Sequence, residues 1–188
     1  MNTATRVLAG LAGGIAGAFS MDVVSGAWSY ARRGTADAAE SSLLQHGGRP
    51  EVEEAKERQK SSGDPEAIAT TAIAERIAAP VPLSREERHR GGQIVHYTYG
   101  ALLGAAYVLS VRRFPAVRSG HGTLYGFSTW LGAAIGLPAL GLIKPPHKYS
   151  MAQHGFSLLT HLSYGAALES TRMLLDSATK DASEPRHP

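Results

Sequence analysis

The stretch GLAGGIAGAFSMD, residues 10–22, separates two kinds of protein. Its glycines suit either a phosphate-binding loop in a soluble protein or the close packing of helices in a membrane. The spacing departs from G-x-G-x-x-G, no strand-like segment precedes it, and no Lys-Ser or Lys-Thr pair follows it, so a nucleotide-binding loop is not indicated. Small residues four positions apart let two helix backbones approach each other in lipid. The stretch therefore predicts a membrane-spanning helix.

Similar glycine pairs recur in later apolar segments. In the interior of a soluble helix, each glycine would cost about 0.5–1 kcal/mol relative to alanine. So many glycines in predicted helices favour membrane helices that pack through small residues. The predicted helix-packing residues are Gly10, Gly13, Gly14, Gly17, Gly100, Gly104, Gly122, Gly126, Gly132 and Gly136.

The acidic residues are unevenly distributed along the 188-residue chain. Of its 16 Asp and Glu residues, eleven lie between Asp37 and Glu87, and none lies between Glu87 and Glu169. The chain also contains four apolar segments of about 20 residues, the length that a helix needs to cross a bilayer. They predict an all-α integral membrane bundle of four transmembrane helices within residues 1–176, with spans at about 7–30, 93–111, 123–143 and 150–175 and a flexible tail at 177–188.

The polar connection between the first two predicted spans covers residues 34–90. EVEEAKERQK (51–60) predicts a solvated helix, because mixed charges stand four positions apart. Pro65 at a first helical position predicts a second, amphipathic helix that lies on the membrane or on the bundle. Ser84 and Glu87 match a capping box, which is typical of a helix start, and predict the beginning of the run into the second span.

The composition excludes several classes of function. The net charge is only +3, and no run of Lys and Arg is interleaved with aromatic residues, so nucleic acid is not a predicted partner. The absence of cysteine excludes disulfides, thiolate metal sites and iron–sulfur clusters. No Ser-His-Asp or nucleophile-elbow pattern occurs. No catalytic residue is predicted, and we expect a non-enzymatic protein.

An internal repeat is the most specific feature of the sequence. HYTYGALLG (96–104) and HLSYGAALE (161–169) share the pattern H-x-[ST]-Y-G-A-x-L, and a fainter echo pairs AFS (18–20) with GFS (126–128). The repeat matches the first two spans with the last two, which is typical of two duplicated helical hairpins in the same orientation. A chance match in a chain rich in glycine and alanine is the alternative.

Five ionisable residues fall within the predicted spans, where charges are costly and therefore mark candidate functional sites. They are Asp22, His96, His154, His161 and Glu169. At a rise of about 1.5 Å per residue, Asp22, His96 and His154 lie at similar depth, with His161 nearer the middle of the bilayer. The sequence predicts a buried polar cluster formed by these side chains.

Three functions are open for such a cluster. In the first, the side chains only link helices by hydrogen bonds, in an accessory or packing subunit. In the second, His and Asp form a path for protons or small solutes through a small channel or transporter-like protein. In the third, His96 together with His154 or His161 binds haem b for electron transfer. A zinc or copper ion on the same ligands is a further alternative, although no metal site is predicted.

The predicted partners follow from the membrane interpretation. The lipid bilayer surrounds the bundle, and the glycine-rich helix faces are expected to pack against a membrane-protein partner or against a second copy of the chain. The expected location is a membrane that the chain crosses several times.

Several runs of this sequence occur together in one known family. They are the glycine-rich first span, H-x-x-x-G-x-x-x-G-x-x-Y at 96–107, LGLIKPP at 140–146, and H-x(6)-H-x-x-Y-G-x-x-x-E at 154–169. In combination they resemble the YagU-like family of small bacterial inner-membrane proteins. The resemblance covers nearly the whole chain and implies a four-span membrane protein. That family has no established biochemical activity, so the resemblance implies no catalytic residue.

Overall fold

A computed structural model describes residues 3–46, 65–79 and 81–181 of the protein. Over these residues the chain is all-helical and contains no strand, which confirms the predicted class. The helices are α1 (Thr3–His46), α2 (Pro65–Ala78), α3 (Arg85–Arg113), α4 (Thr123–Ala139) and α5 (Met151–Asp181), with short 3-10 helices at Pro115–Arg118 and Pro146–Lys148. The helix predicted at 51–60 lies outside the described residues.

Two of these helices are long and apolar enough to cross a membrane. They are the Thr3–Arg33 part of α1, near the N-terminus, and α3. A signal sequence or the core helix of a soluble protein has the same length and composition, so these two helices are weak grounds for a membrane protein. The described residues therefore contain two candidate spans, and the predicted bundle of four spans is not confirmed.

The other two predicted spans lack the length or the apolar character of a membrane-spanning helix. Helix α4 has 17 residues, and the span predicted there included the turn at 140–143. Helix α5 has 31 residues, but neutral polar side chains such as Gln153, His154 and Ser157 interrupt its apolar ones. The sequence interpretation gave weight to the absence of charged residues from 93–111 and 123–143, a criterion that overlooks neutral polar residues. The span predicted at 150–175 also includes Glu169 and Arg172.

Local signals set the start of α3 and not the end of α5. The backbone N–H of Glu87 donates to the Ser84 hydroxyl at 3.3 Å, and the backbone N–H of Ser84 donates to the Glu87 carboxylate at 2.8 Å. This is the predicted capping box, and α3 begins at Arg85, directly after it. Helix α5 continues to Asp181, so the first residues of the predicted tail are helical.

Helix α1 packs antiparallel to α3 through glycines on both helices. A Cβ atom at Gly14 would collide with the carbonyl oxygen of Gly100, and one at Gly104 would collide with that of Gly10. Since lipid supplies no hydrophobic drive between helices, such close backbone contact is what holds membrane helices together.

Helix α5 packs against α1 on one side and α4 on the other. Gly17 lies against the ring of Tyr164, which leaves no room for a Cβ atom. The Tyr164 hydroxyl donates a 2.6 Å hydrogen bond to the carbonyl oxygen of Gly100 and so links α5 to α3. On the other side of α5, Gly126 of α4 lies against the backbone of His161. The four helices α1, α3, α4 and α5 thus form one bundle.

The bundle has a small apolar core and a large apolar exterior. The core cluster consists of Met21, Tyr107, Val108, Tyr164 and Leu168. Large apolar side chains point outward from all four helices, among them Phe19 (60% exposed), Leu102 (60%), Ile135 (66%) and Leu159 (50%). Among the residues that the structure describes, the buried polar ones are Thr160, His161 and Glu169.

Candidate functional site

Asp22 lies near one end of the bundle, between α1 and α3. Its Oδ1 atom lies 3.6 Å from Nε2 of His96, and the Tyr97 hydroxyl donates a 2.6 Å hydrogen bond to its Oδ2 atom. Nε2 of His96 also lies 3.3 Å from the carbonyl oxygen of Ala18, one turn earlier on α1. The side chain of Asp22 is 44% exposed, whereas that of His96 is 14% exposed. The carboxylate is therefore at the rim of the bundle and the imidazole is inside it.

Glu169 lies toward the opposite end of the bundle, with only 3% of its side chain exposed. Its oxygens accept hydrogen bonds from the Tyr107 hydroxyl at 2.7 Å, from Nε of Arg118 at 3.1 Å, and from Nε and Nη2 of Arg172 at 2.6 and 2.8 Å. Arg172 also pairs with Asp176. Burial of a carboxylate is costly unless it is paired and hydrogen-bonded. Here two guanidinium groups and a hydroxyl compensate it, and they tie together α3, α5 and the short helix before α4.

The two predicted histidines on α5 bond backbone carbonyls. Nε2 of His154 lies 2.9 Å from the carbonyl oxygen of Pro146, in the turn that precedes α5. Nδ1 of His161 lies 2.8 Å from the carbonyl oxygen of Ser157 on the same helix. The structure thus places the five predicted residues in three settings: Asp22 with His96, Glu169 with two arginines, and His154 and His161 on backbone carbonyls.

The three histidines nevertheless line one cavity. It has a volume of about 290 Å³ and lies between α3, α4 and α5, with α2 and the turn before α5 at one end. His96 lines it from α3, His154 and His161 from α5, and Trp130 from α4. Its lining includes Lys144 and no Asp or Glu. The cavity therefore combines apolar walls with imidazoles and one ammonium group.

The ten predicted packing glycines fall into two groups. Gly132 and Gly136 of α4 have no atom within 4 Å of the position that a Cβ would occupy, and both line the cavity. A side chain at either position would therefore meet open space and no neighbouring helix. The other eight lie at close contacts between helices: Gly10, Gly13, Gly14, Gly17, Gly100, Gly104, Gly122 and Gly126.

The described residues offer little for a metal ion or a haem. Among residues 3–46, 65–79 and 81–181, no group of three or more His, Cys, Asp or Glu side chains could hold a metal ion. To bind haem through Nε2, His96 would have to give up its contact with the carbonyl oxygen of Ala18, and His154 its contact with that of Pro146. Haem binding stays a prediction.

Sequence reasoning did not identify the partners of the two carboxylates. Arg172 carried a usable signal, because it follows Glu169 by three positions and so faces it on one helix. Tyr107 and Arg118 carried none, since they are 62 and 51 residues away from Glu169 in sequence. Tyr97 is adjacent to His96 in sequence. Its hydroxyl reaches Asp22 only because α3 packs against α1.

Comparison with known proteins gives one match. A family model described as "Protein of unknown function (DUF1440)" matches residues 59–170, which is more than half of the chain. No curated protein matches the chain, and no solved structure matches it.

Proposed function

The chain belongs to the DUF1440 family, whose function is unknown, and we propose that it is a non-enzymatic protein of the bacterial inner membrane. In this proposal α1, α3, α4 and α5 each cross the bilayer, and α2 lies at the membrane surface against α3. The YagU-like resemblance, which the family match does not name, implies the same architecture.

The observation that carries this proposal is the reversed polarity of the bundle. Large apolar side chains such as Phe19, Ile135 and Leu159 are half to two-thirds exposed on the outside, whereas the buried residues include Thr160, His161 and Glu169. Large apolar patches are rarely exposed on a soluble monomer. In lipid the same surface is solvated by acyl chains, and polar side chains are expected to face the bundle interior.

The lengths of the two shorter predicted spans are compatible with this arrangement. Helix α4 has 17 residues, or about 26 Å at 1.5 Å per residue, against a hydrocarbon thickness of about 30 Å. Its glycine contacts with α5 hold it at the same depth as that longer helix. Of the neutral polar residues that lower the hydropathy of α5, Gln153, His154 and Ser157 line the cavity.

The polar interior favours a structural role within an accessory or packing subunit. Within the part of the chain that the structure describes, no buried side-chain nitrogen or oxygen lacks a hydrogen-bond partner. Such satisfied contacts link membrane helices, each contributing about 0.6–2 kcal/mol. Since eight glycines already pack inside the bundle, we propose that a protein partner docks on the apolar exterior rather than on those glycines.

A transport function is the second candidate, favoured by the cavity that His96, His154 and His161 line. Imidazoles titrate near neutral pH and can relay protons. Proton flux in liposomes that His161→Ala abolishes would favour transport, and its absence under every gradient would leave the accessory role.

The proposed topology has a direct test because the chain contains no cysteine. Single cysteines at Val81, Ser119 and Lys148, all exposed in connections, can be labelled in intact cells with a membrane-impermeant maleimide. Four spans predict that positions 81 and 148 react from one side and position 119 from the other. Labelling of 119 and 148 from the same side would overturn the four-span proposal.

A further inference from the structure

The cavity beside α4 is larger than the voids that ordinary helix packing leaves. Protein interiors contain few voids bigger than a water molecule, because unfilled space loses dispersion contacts. This one has about 290 Å³, which is near the lower end of small-molecule sites. Such a space in the apolar part of a bundle is expected to hold a ligand.

The walls of the cavity suit a hydrocarbon chain. Ile73, Val95 and Leu137 line it from α2, α3 and α4. On the α5 wall, His154 and His161 bond backbone carbonyls, which lowers the cost of placing their rings against an apolar group. An apolar ligand therefore leaves few polar groups without partners.

Two glycines widen the cavity along α4. Gly132 and Gly136 are one helical turn apart, and a Cβ atom at either position would meet nothing within 4 Å. Elsewhere in the bundle, glycines in the same spacing are covered by a neighbouring helix. Here the backbone of α4 faces open space, so a slender ligand can lie along it.

Positive charge collects at the mouth of the cavity. Lys144 lines it and is exposed, and His147 and Lys148 follow in the short helix before α5. Nη1 of Arg76 on α2 lies 3.4 Å from the carbonyl oxygen of Leu140 in the same turn. The lining contains no carboxylate. The mouth thus complements an anion.

We propose that this cavity binds a single-chain amphiphile, with its hydrocarbon chain along Gly132 and Gly136 and its anionic head group at Lys144. The volume is of the order of one hydrocarbon chain. The inference uses the proposed membrane location only for the route by which the ligand enters. Maleimide labelling in intact cells tests that location separately, and the binding titration uses purified protein, so the two proposals can fail independently.

The test uses the two tryptophans of the chain. Trp130 lines the cavity, and Trp28 stacks on Phe156 with ring centroids 5.3 Å apart. In a Trp28→Phe background, Trp130 is the sole tryptophan and reports on the cavity. The protein is reconstituted in phosphatidylcholine nanodiscs and titrated with 12-bromododecanoate, whose bromine quenches tryptophan at short range. We expect saturable quenching that unlabelled dodecanoate reverses.

Variants separate binding in the cavity from partition into the bilayer. Gly136→Leu fills the cavity and is expected to remove the saturable quenching. Gly155→Leu is the matched control, because Gly155 also has nothing within 4 Å of its Cβ position but does not line the cavity. Gly132→Leu is a second filling variant if Gly136→Leu fails to fold by circular dichroism.

The head group is tested with Lys144→Gln. We expect it to weaken 12-bromododecanoate binding about fivefold, as for loss of one exposed charge contact, and to leave 12-bromododecanol unchanged. Competition by dodecyl phosphate would support a site that accepts an anionic head group, whether carboxylate or phosphate. Three results would overturn the proposal. The first is that Trp130 is quenched in both filling variants as it is in Gly155→Leu, and the second is that 12-bromododecanol binds as tightly as 12-bromododecanoate. The third is that brominated phospholipid quenches Trp130 and dodecanoate does not compete with it.

Discussion

The crossing of α1 with α3 and the crossing of α4 with α5 use glycines at equivalent positions of the internal repeat. The repeat aligns Gly100 with Gly165, and the AFS–GFS echo aligns Gly14 with Gly122. In each half, a Cβ atom on the earlier glycine would collide with the carbonyl oxygen of the later one. The recurrence of this contact supports the proposal that the two hairpins are duplicated.

The two halves differ one turn further along. Gly104 aligns with Glu169, and Gly10 aligns with Arg118. In the first half these two positions are joined backbone to backbone. In the second half a carboxylate and a guanidinium join them at 3.1 Å. The comparison shows that two crossing helices can be joined at this position either by direct backbone contact between glycines or by a buried ion pair. Only the ion pair depends on charge.

Loss of the Glu169 carboxylate should have the largest effect. Glu169→Ala takes from Arg118 its carboxylate partner and leaves Arg172 with Asp176 alone, so we expect the free energy of unfolding to fall by about 3–5 kcal/mol. Unfolding by SDS in mixed micelles measures it. Glu169→Gln keeps the shape of the side chain and should lose less. A loss below about 1 kcal/mol for Glu169→Ala would show that the arginines reach water without it.

Local signals were enough to predict much of the fold from the sequence. Caps, prolines and charge-free apolar segments indicate helices because these signals act within one turn or within one segment. The number of spans could not be predicted from local signals. The mean hydropathy of a segment depends on its neutral polar residues, which a count of charged residues ignores.

The candidate site was only partly readable from the sequence. Depth along antiparallel helices places Asp22 beside His96, but depth says nothing about lateral position, and His154 lies across the cavity instead. The cavity itself had no sequence signal, because residues of four helices line it and their packing brings them together. Gly132 and Gly136 have the same spacing as the packed glycines, and only the structure distinguishes them.

Alanine at the equivalent glycines should test the shared crossing. Gly14→Ala and Gly122→Ala each place a methyl group on a backbone oxygen, and overpacking of this kind costs about 1–3 kcal/mol. Gly122→Ala should cost more, because the residue has a φ of 82°, which disfavours a side chain. The same unfolding assay measures both. Gly132→Ala, which meets open space, is the control and should be neutral or slightly stabilising. Equal losses at all three positions would contradict the packing role.

One buried hydrogen bond between the two halves, from Tyr164 to Gly100, should have a moderate effect. Tyr164→Phe removes the buried bond from its hydroxyl to the carbonyl oxygen of Gly100, and we expect a loss of about 1 kcal/mol. A thermal shift in detergent is a sufficient measurement. Tyr30→Phe is the matched control, because Tyr30 is 80% exposed. A smaller shift for Tyr164→Phe than for this control would mean that this hydrogen bond does not stabilise the contact between the halves.

Neutralising Asp22 should have the smallest effect, although it carries the same charge as Glu169. Its side chain is 44% exposed, so water at the rim can take over part of its solvation. In Asp22→Asn, an amide oxygen can still accept the hydrogen bond from the Tyr97 hydroxyl. We expect a loss of about 0.6 kcal/mol or less in the SDS unfolding assay, typical of polar contacts between membrane helices. A loss equal to that of Glu169→Gln would mean that the rim is as dry as the other end of the bundle, and that the two carboxylates are both structural charges.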